Sequence, residues 1–203
     1  MGFPIGTKVY LEDKTLKNIE DLQFGDKILS IKTKDSEILT HSEFYHRYIK
    51  LNNKREGFFI QTGDTVLCSA TVYSVFVHKN FGNFKSLNNN ILSGIDPILI
   101  QKDLEVDHMY LKNADSIIGK MISSENEENY FIQSLDSKPF NLNVETLDDN
   151  IFVNPDQPFL KTKIEDFESK ISNQISVSLV LLDNYFFLTE NFICLSHLIM
   201  EEN

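Results

Sequence analysis

The first half of this chain is repeated, motif by motif and in the same order, in the second half. Residues 16–30 and 111–123 both open with Leu-Lys-Asn, pass through an acidic residue and an apolar pair to a Gly turn, and end in a strand closing on Ser. Phe58-Phe59-Ile60-Gln61-Thr62 is then echoed by Tyr130-Phe131-Ile132-Gln133-Ser134, and Val75-Phe76-Val77 by Ile151-Phe152-Val153. Two copies in one order predict a duplicated unit folded about a pseudo-two-fold axis. A solenoid is excluded, because its repeats are shorter and more numerous.

The units are built from strands. Short runs of β-branched and aromatic residues recur every 8 to 15 positions: 8–11, 27–33, 57–62, 66–77, 98–101, 129–135, 140–145, 150–154, 175–182, 184–188 and 192–200. Turn residues separate them at Glu12-Asp13-Lys14, Gly63-Asp64, Asp148-Asp149, Asp183-Asn184 and Glu190-Asn191. Ile164, Phe167 and Ile171 recur at helical spacing, which predicts one short amphipathic helix over 163–173. The class is all-β, with a helix-plus-strands extension at the C-terminal end.

With 203 residues and 41% hydrophobic composition, the chain can bury a substantial core. The 30 acidic against 19 basic residues leave a net charge of −11, and Lys50–Arg55, the densest basic stretch, is interrupted by Asn52 and Asn53. Nucleic-acid binding is not expected, since phosphate contacts need clustered cations. The start lacks an apolar signal-peptide segment, and the longest apolar stretch, Val177–Leu188, is broken by Ser178, Asp183 and Asn184. Gly2 is not followed by the Ser or Thr that myristoylation wants, since Gly6 holds that position. The expectation is a chain that is neither secreted by a signal peptide nor membrane-bound, and that is cytoplasmic or assembled into a particle.

A family resemblance emerges at the N-terminus. Gly2-Phe3-Pro4-Ile5-Gly6-Thr7-Lys8-Val9 followed by Ile19–Ser30, with its Gly25-Asp26 before a strand, resembles the first block of Hint domains, the self-processing module of hedgehog proteins and inteins. Phe140–Glu145 with Asn150–Asn154 is similar to the family's penultimate block. The resemblance spans roughly residues 2–163. It implies a Hint-like domain over 1–163, to which residues 164–203 add an apolar β extension that either packs on it or forms an interface.

The resemblance also says where chemistry should sit. Hint chemistry opens with an acyl shift, in which the first side chain attacks the preceding carbonyl; that needs a thiol or hydroxyl. The matching residue is Gly2, with Met1 alone ahead of it. The family's Thr-x-x-His falls on Thr71-Val72-Tyr73-Ser74, so Ser74 stands where His is needed, and the register one residue earlier lacks His too. Serine cannot cycle a proton near neutrality as histidine does. His78 lies four residues further on, at the expected strand end. The closing His-Asn is also missing: Pro158–Lys163 has neither, and His197 is followed by Leu198.

Other constellations read as structure. Cys194 and His197 would fall on opposite faces of a strand, giving a buried thiol and a surface or hydrogen-bonded imidazole rather than a metal half-site. His41 and His46 lack matched carboxylates, and Glu125–Glu128 reads as a solvated loop. No catalytic residue, metal site or cofactor is expected. The expected function is that of a catalytically inactive Hint-like domain, a structural or interaction component of a large assembly such as a viral particle, with protein partners met through residues 175–200. The alternative is a self-processing domain whose nucleophile has been changed to Gly2.

Overall fold

The computed structural model describes residues 2–33, 58–61, 65–79, 82–94, 96–102, 108–115, 117, 129–132, 151–152, 161–172 and 175–197. Those residues are mostly strand. The predicted strand at 140–145, the turns at 63–64 and 148–149, His41, His46 and the 125–128 run lie outside the described residues.

One long strand organises the molecule. β6 (Thr65–His78) is 14 residues long; two long partners follow one another along it, and the short β12 (Ile151–Phe152) pairs with its first half as well, Ile151 opposite Leu67. Its first half pairs antiparallel with β4 (Lys27–Thr33), from Lys27↔Thr71 to Thr33↔Thr65. Its second half pairs with β15 (Ser176–Leu181), from Ser176↔His78 to Leu181↔Val72, with a register shift between Val180 and Leu181. The handover falls at Thr71–Val72. There the Val72 carbonyl accepts from Gly25 N–H at 2.9 Å, and the Thr71 carbonyl from Leu182 N–H at 2.9 Å. Gly25 turns the chain into β4 at φ 89°, a conformation that glycine adopts without a Cβ clash.

β1 (Phe3–Pro4) pairs with β15, Phe3 opposite Val177, and is an outer strand of this five-stranded sheet. A second sheet of seven strands runs in the order β13 (Lys161–Lys163), β11 (Asn129–Ile132), β9 (Pro97–Lys102), β10 (His108–Asn113) and β5 (Phe58–Gln61). The hairpin of β16 (Phe186–Leu188) and β17 (Ile193–Leu195) joins it through Cys194↔Ile98. β16 also lies against β4, where Ser30 Oγ donates to the Phe186 carbonyl at 2.6 Å.

The C-terminal strands are therefore part of the central fabric. Val177, Leu179, Val180 and Leu181 are each at most 1% exposed, as are Phe186, Phe187 and Leu188. A strand buried on both faces reads as a continuous apolar run rather than an alternating one, which explains the density of the sequence here. Phe187 meets Phe3 edge-to-face, centroids 5.2 Å apart, tying the last hairpin to the first strand.

The helix expected over 163–173 does not form. That stretch contributes β13 and then β14 (Phe167–Ser172), which pairs with β7 (Gly82–Leu87) from Phe167↔Leu87 to Ser172↔Gly82. The helical spacing of Ile164, Phe167 and Ile171 is overridden by that strand partner and by Asn88. Asn88 Oδ1 accepts from Glu165 and Asp166 N–H at 3.0 and 3.1 Å, and its Nδ2 donates to the Lys163 carbonyl at 2.6 Å. The first turn of a helix is thereby held as a link between strands, with Ile164 buried beneath it.

The Leu-Lys-Asn motifs do take up similar local structure. Leu16–Asn18 forms β3 and leads into a 3₁₀ turn at Ile19–Asp21. Leu111-Lys112-Asn113 ends β10, and helical residues Ala114 and Asp115 follow.

Candidate functional site

Register places Gly2 beside β15. Phe3 faces Val177 and Pro4 faces Ser176, so Gly2 lies level with Ser178. Gly2 adopts φ 142°, and a Cβ built on it would fall 2.6 Å from the Val177 carbonyl oxygen, 2.7 Å from its carbon and 3.0 Å from Ser178 Oγ. The first two contacts are with backbone of a buried strand and cannot be relieved by a rotamer change. Residue 2 has no side chain, and its surroundings leave no space for one.

Thr71 and Ser74 have different fates. At the handover in β6, Thr71 is clamped by Asp183: its N–H donates to Oδ1 at 2.9 Å and its hydroxyl to Oδ2 at 3.0 Å. Lys27 Nζ donates to the same hydroxyl at 2.5 Å. Thr71 thus fixes the turn after β15. Ser74 Oγ is buried without a hydrogen-bond partner, three residues along the same strand.

Around Gly2 the fold assembles groups that are far apart in sequence. His78, at the end of β6, places Nε2 3.1 Å from Ser178 Oγ, and its ring stacks on Phe76. The Asp96 carboxyl, just before β9, accepts from Gly2 N–H. Its Oδ2 is buried with no partner, and Ser176 Oγ is in the same condition. Burial pushes Asp96 up to about 6, against the downward pull of the Gly2 hydrogen bond. Cys194 is wholly buried; burial, then the charge of Asp96, pushes its thiol well above the ordinary range despite a hydrogen bond with Thr189. His197 lies near His78, and its pKa is lowered first by burial and then by that neighbour's charge.

Sequence reasoning singled out Gly2, Thr71 and Ser74, and the structure does not join them into one cluster of contacts. It joins Gly2 to Ser178, His78 and Asp96. Of these, Ser178 and Asp96 were not anticipated; the pairing register of β1, β15 and β6 reveals Ser178, and the hydrogen bond from Gly2 N–H reveals Asp96. Among the described residues no three His, Cys, Asp or Glu side chains could together hold a metal ion.

A mostly β chain whose longest described strand passes from β4 to β15 along its length, with the β16–β17 hairpin packed against β4 and β9, has the architecture of a Hint domain. Solved structures match it over almost their whole length. An Ssp DnaB mini-intein variant superposes with TM-score 0.54 at 13% identity, covering 97% of this chain and 99% of the other. The DnaB intein from Synechocystis sp. PCC 6803 gives 0.51 at 11% identity, covering 98% and 100%. A bacterial intein-like domain from Clostridium thermocellum gives 0.52 at 10% identity, covering 97% and 98%. The sequence matches no protein-family model and no curated protein. The fold is that of inteins.

Proposed function

We propose that this chain is a Hint-fold module without intein chemistry, serving as a structural or protein-interaction component of a larger assembly. The observation that carries the reading is at Gly2, where no nucleophile is present and a Cβ would sit 2.6 Å from the Val177 carbonyl oxygen. Two further features support it. Ser74 stands where the resembled family has a histidine, and Leu198 stands after His197 where that family has an asparagine. An apolar patch also surrounds the bend of β6. Phe24 is 73% exposed, Tyr73 45% and Leu182 56%, with Phe24 and Tyr73 in edge contact. Large apolar side chains grouped on the surface mark interaction sites. Between 176 and 196 most side chains are buried within the chain, so of that stretch the interface would use Leu182.

Native mass spectrometry of the protein from its own source tests the reading. A complex well above the 23.5 kDa of one chain, dispersed by the triple change Phe24→Ser, Tyr73→Ser, Leu182→Ser, is the expected result. A free monomer would overturn the assembly role. The chemical half is tested with Gly2→Cys behind an upstream carrier protein. Dithiothreitol should release no carrier, and thiol-dependent release would overturn it.

A further inference from the structure

Two sheets end against each other near the N-terminus. β1 is an outer strand of the five-stranded sheet, and β8 (Asn90–Ser93) is an outer strand of a three-stranded sheet that runs β14, β7, β8. The two strands lie side by side, and among the described residues neither has a further strand on its outer edge. Such edges carry backbone N–H and C=O groups without ladder partners. Beside them the surface opens into a cleft of about 340 Å³, walled by residues 3–8, 89–91 and 189–192.

The walls are held by backbone geometry. Asn88 and Asn89 both take positive φ, 48° and 66°, in the two-residue turn that joins β7 to β8, which leaves Asn89 exposed at the rim. Thr189 Oγ1 accepts from Asn191 and Phe192 N–H at 3.4 and 2.8 Å, fixing the turn between β16 and β17. Glu190 N–H donates to the Lys8 carbonyl at 2.9 Å and ties that turn to the N-terminal segment. The side chains on this frame are of mixed character. Ile5 and Ile91 are 45% and 38% exposed, one on each wall. Among the described residues the side-chain amides of Asn89 and Asn191 make no hydrogen bond, and Lys8 is in no ion pair.

We propose that this cleft binds an extended peptide of a protein partner. One aliphatic side chain of the peptide enters between Ile5 and Ile91, its peptide groups meet Asn89 and Asn191, and an acidic and a basic residue answer Lys8 and Glu190. A carboxamide offers donors and an acceptor, as a peptide group does, so the two pair in both directions. A space of this volume is about 7 Å across, the length of two extended residues at about 3.3 Å each, so one anchor residue fills it and the chain runs on over the rim. The rim charges then govern which peptide is chosen more than how tightly it binds. A sugar would also engage the amides, but it brings no charge for Lys8 and Glu190, and the cleft offers no aromatic face for its ring: Phe3 and Phe192, on the floor, are buried. The cleft shares no residue with the Phe24, Tyr73 and Leu182 patch, so the two surfaces are tested separately.

The test is selection of phage-displayed random dodecapeptides on the full chain, with enriched sequences synthesised and titrated by calorimetry. Expected are peptides with an aliphatic residue flanked by an acidic and a basic one. Ile91→Asp should weaken them by about 30-fold or more, through loss of the apolar wall, and Asn191→Ala by roughly fivefold, the loss of about one hydrogen bond. Lys8→Glu should weaken them too, with binding restored when the peptide's acidic residue is changed to Lys, a rescue that a merely structural role of Lys8 would not give. The triple change Phe24→Ser, Tyr73→Ser, Leu182→Ser should leave binding unaltered. No enrichment over bare support, affinity that survives both Ile91→Asp and Asn191→Ala in variants with unchanged circular dichroism, affinity lost in the triple variant, or binding to a glycan array in place of peptides would overturn the assignment.

Discussion

Replacing Asp96 with Asn should stabilise this protein at neutral pH, by an amount the burial of the carboxyl sets. In the folded chain the Asp96 pKa is raised to about 6 from its ordinary 3.8. A tenfold change in an acid's dissociation constant corresponds to about 1.4 kcal/mol, so ionised Asp96 opposes folding by up to about 3 kcal/mol above pH 6. Between those two values the native state binds the proton that the unfolded chain has lost. Stability therefore falls as pH rises from about 4 to about 6, and is flat on either side as far as this group is concerned. The amide of Asn keeps an oxygen for Gly2 N–H and carries no charge. Asp96→Asn should then be neutral at pH 3.5 and worth up to about 3 kcal/mol at pH 7.5, or a rise of roughly 6–12 °C in Tm for a chain of this size. Urea unfolding of both proteins at the two pH values gives the difference directly. An equal effect at both, or a loss at pH 7.5, would show that the carboxylate is not held in a desolvated site.

Asp26 should behave in the opposite sense. Burial works against its charge, but the hydrogen bonds from Lys17 Nζ and Gln23 N–H win and hold its pKa below 3.8. Its stabilising contribution is complete above the unfolded pKa and disappears as pH falls through the lowered one. Asp26→Asn should accordingly cost stability at pH 7 and nothing at pH 2, read by thermal melts across that range. Asn88→Ala removes three hydrogen bonds that hold the link to β14 and leaves alanine at φ 48°, a conformation that asparagine tolerates better. At about 1 kcal/mol per bond the cost is about 3 kcal/mol, and amide exchange at Glu165 and Asp166 should accelerate. Cys68 should react with a thiol reagent in the native protein well before Cys194, whose thiol is wholly buried; equal rates, measured by peptide mapping, would contradict the packing of β17.

The strand content was legible in the sequence because period and composition report which faces are buried. Lys27–Thr33 was read to the residue, and Val66–Val77 to within one at each end. The inteins' fold was legible through Gly2–Val9 and Ile19–Ser30, because a tight turn at Gly25 with Asp26 anchored behind it demands particular residues in a local stretch. What failed was the segment 163–173, where three apolar residues satisfied a helical period. Short patterns of that kind are ambiguous, and the outcome went to β7 and Asn88, about 80 positions away.

The sequence by itself determined that the chain is all-β, that residue 2 has nothing to attack with, and that Thr71 is followed at the third position by Ser74 and not by His. These are properties of residue identity and local spacing. Only the tertiary structure decided that residue 2 has no room for a side chain and that the apolar strands after 175 lie inside the molecule. It alone brought Ser178, His78 and Asp96 to the Gly2 peptide. The reason is physical: strand register is a long-range quantity. A slip of one residue between β1 and β15 would turn Ser178 to the opposite face, and no local pattern in the chain specifies which residue faces Gly2.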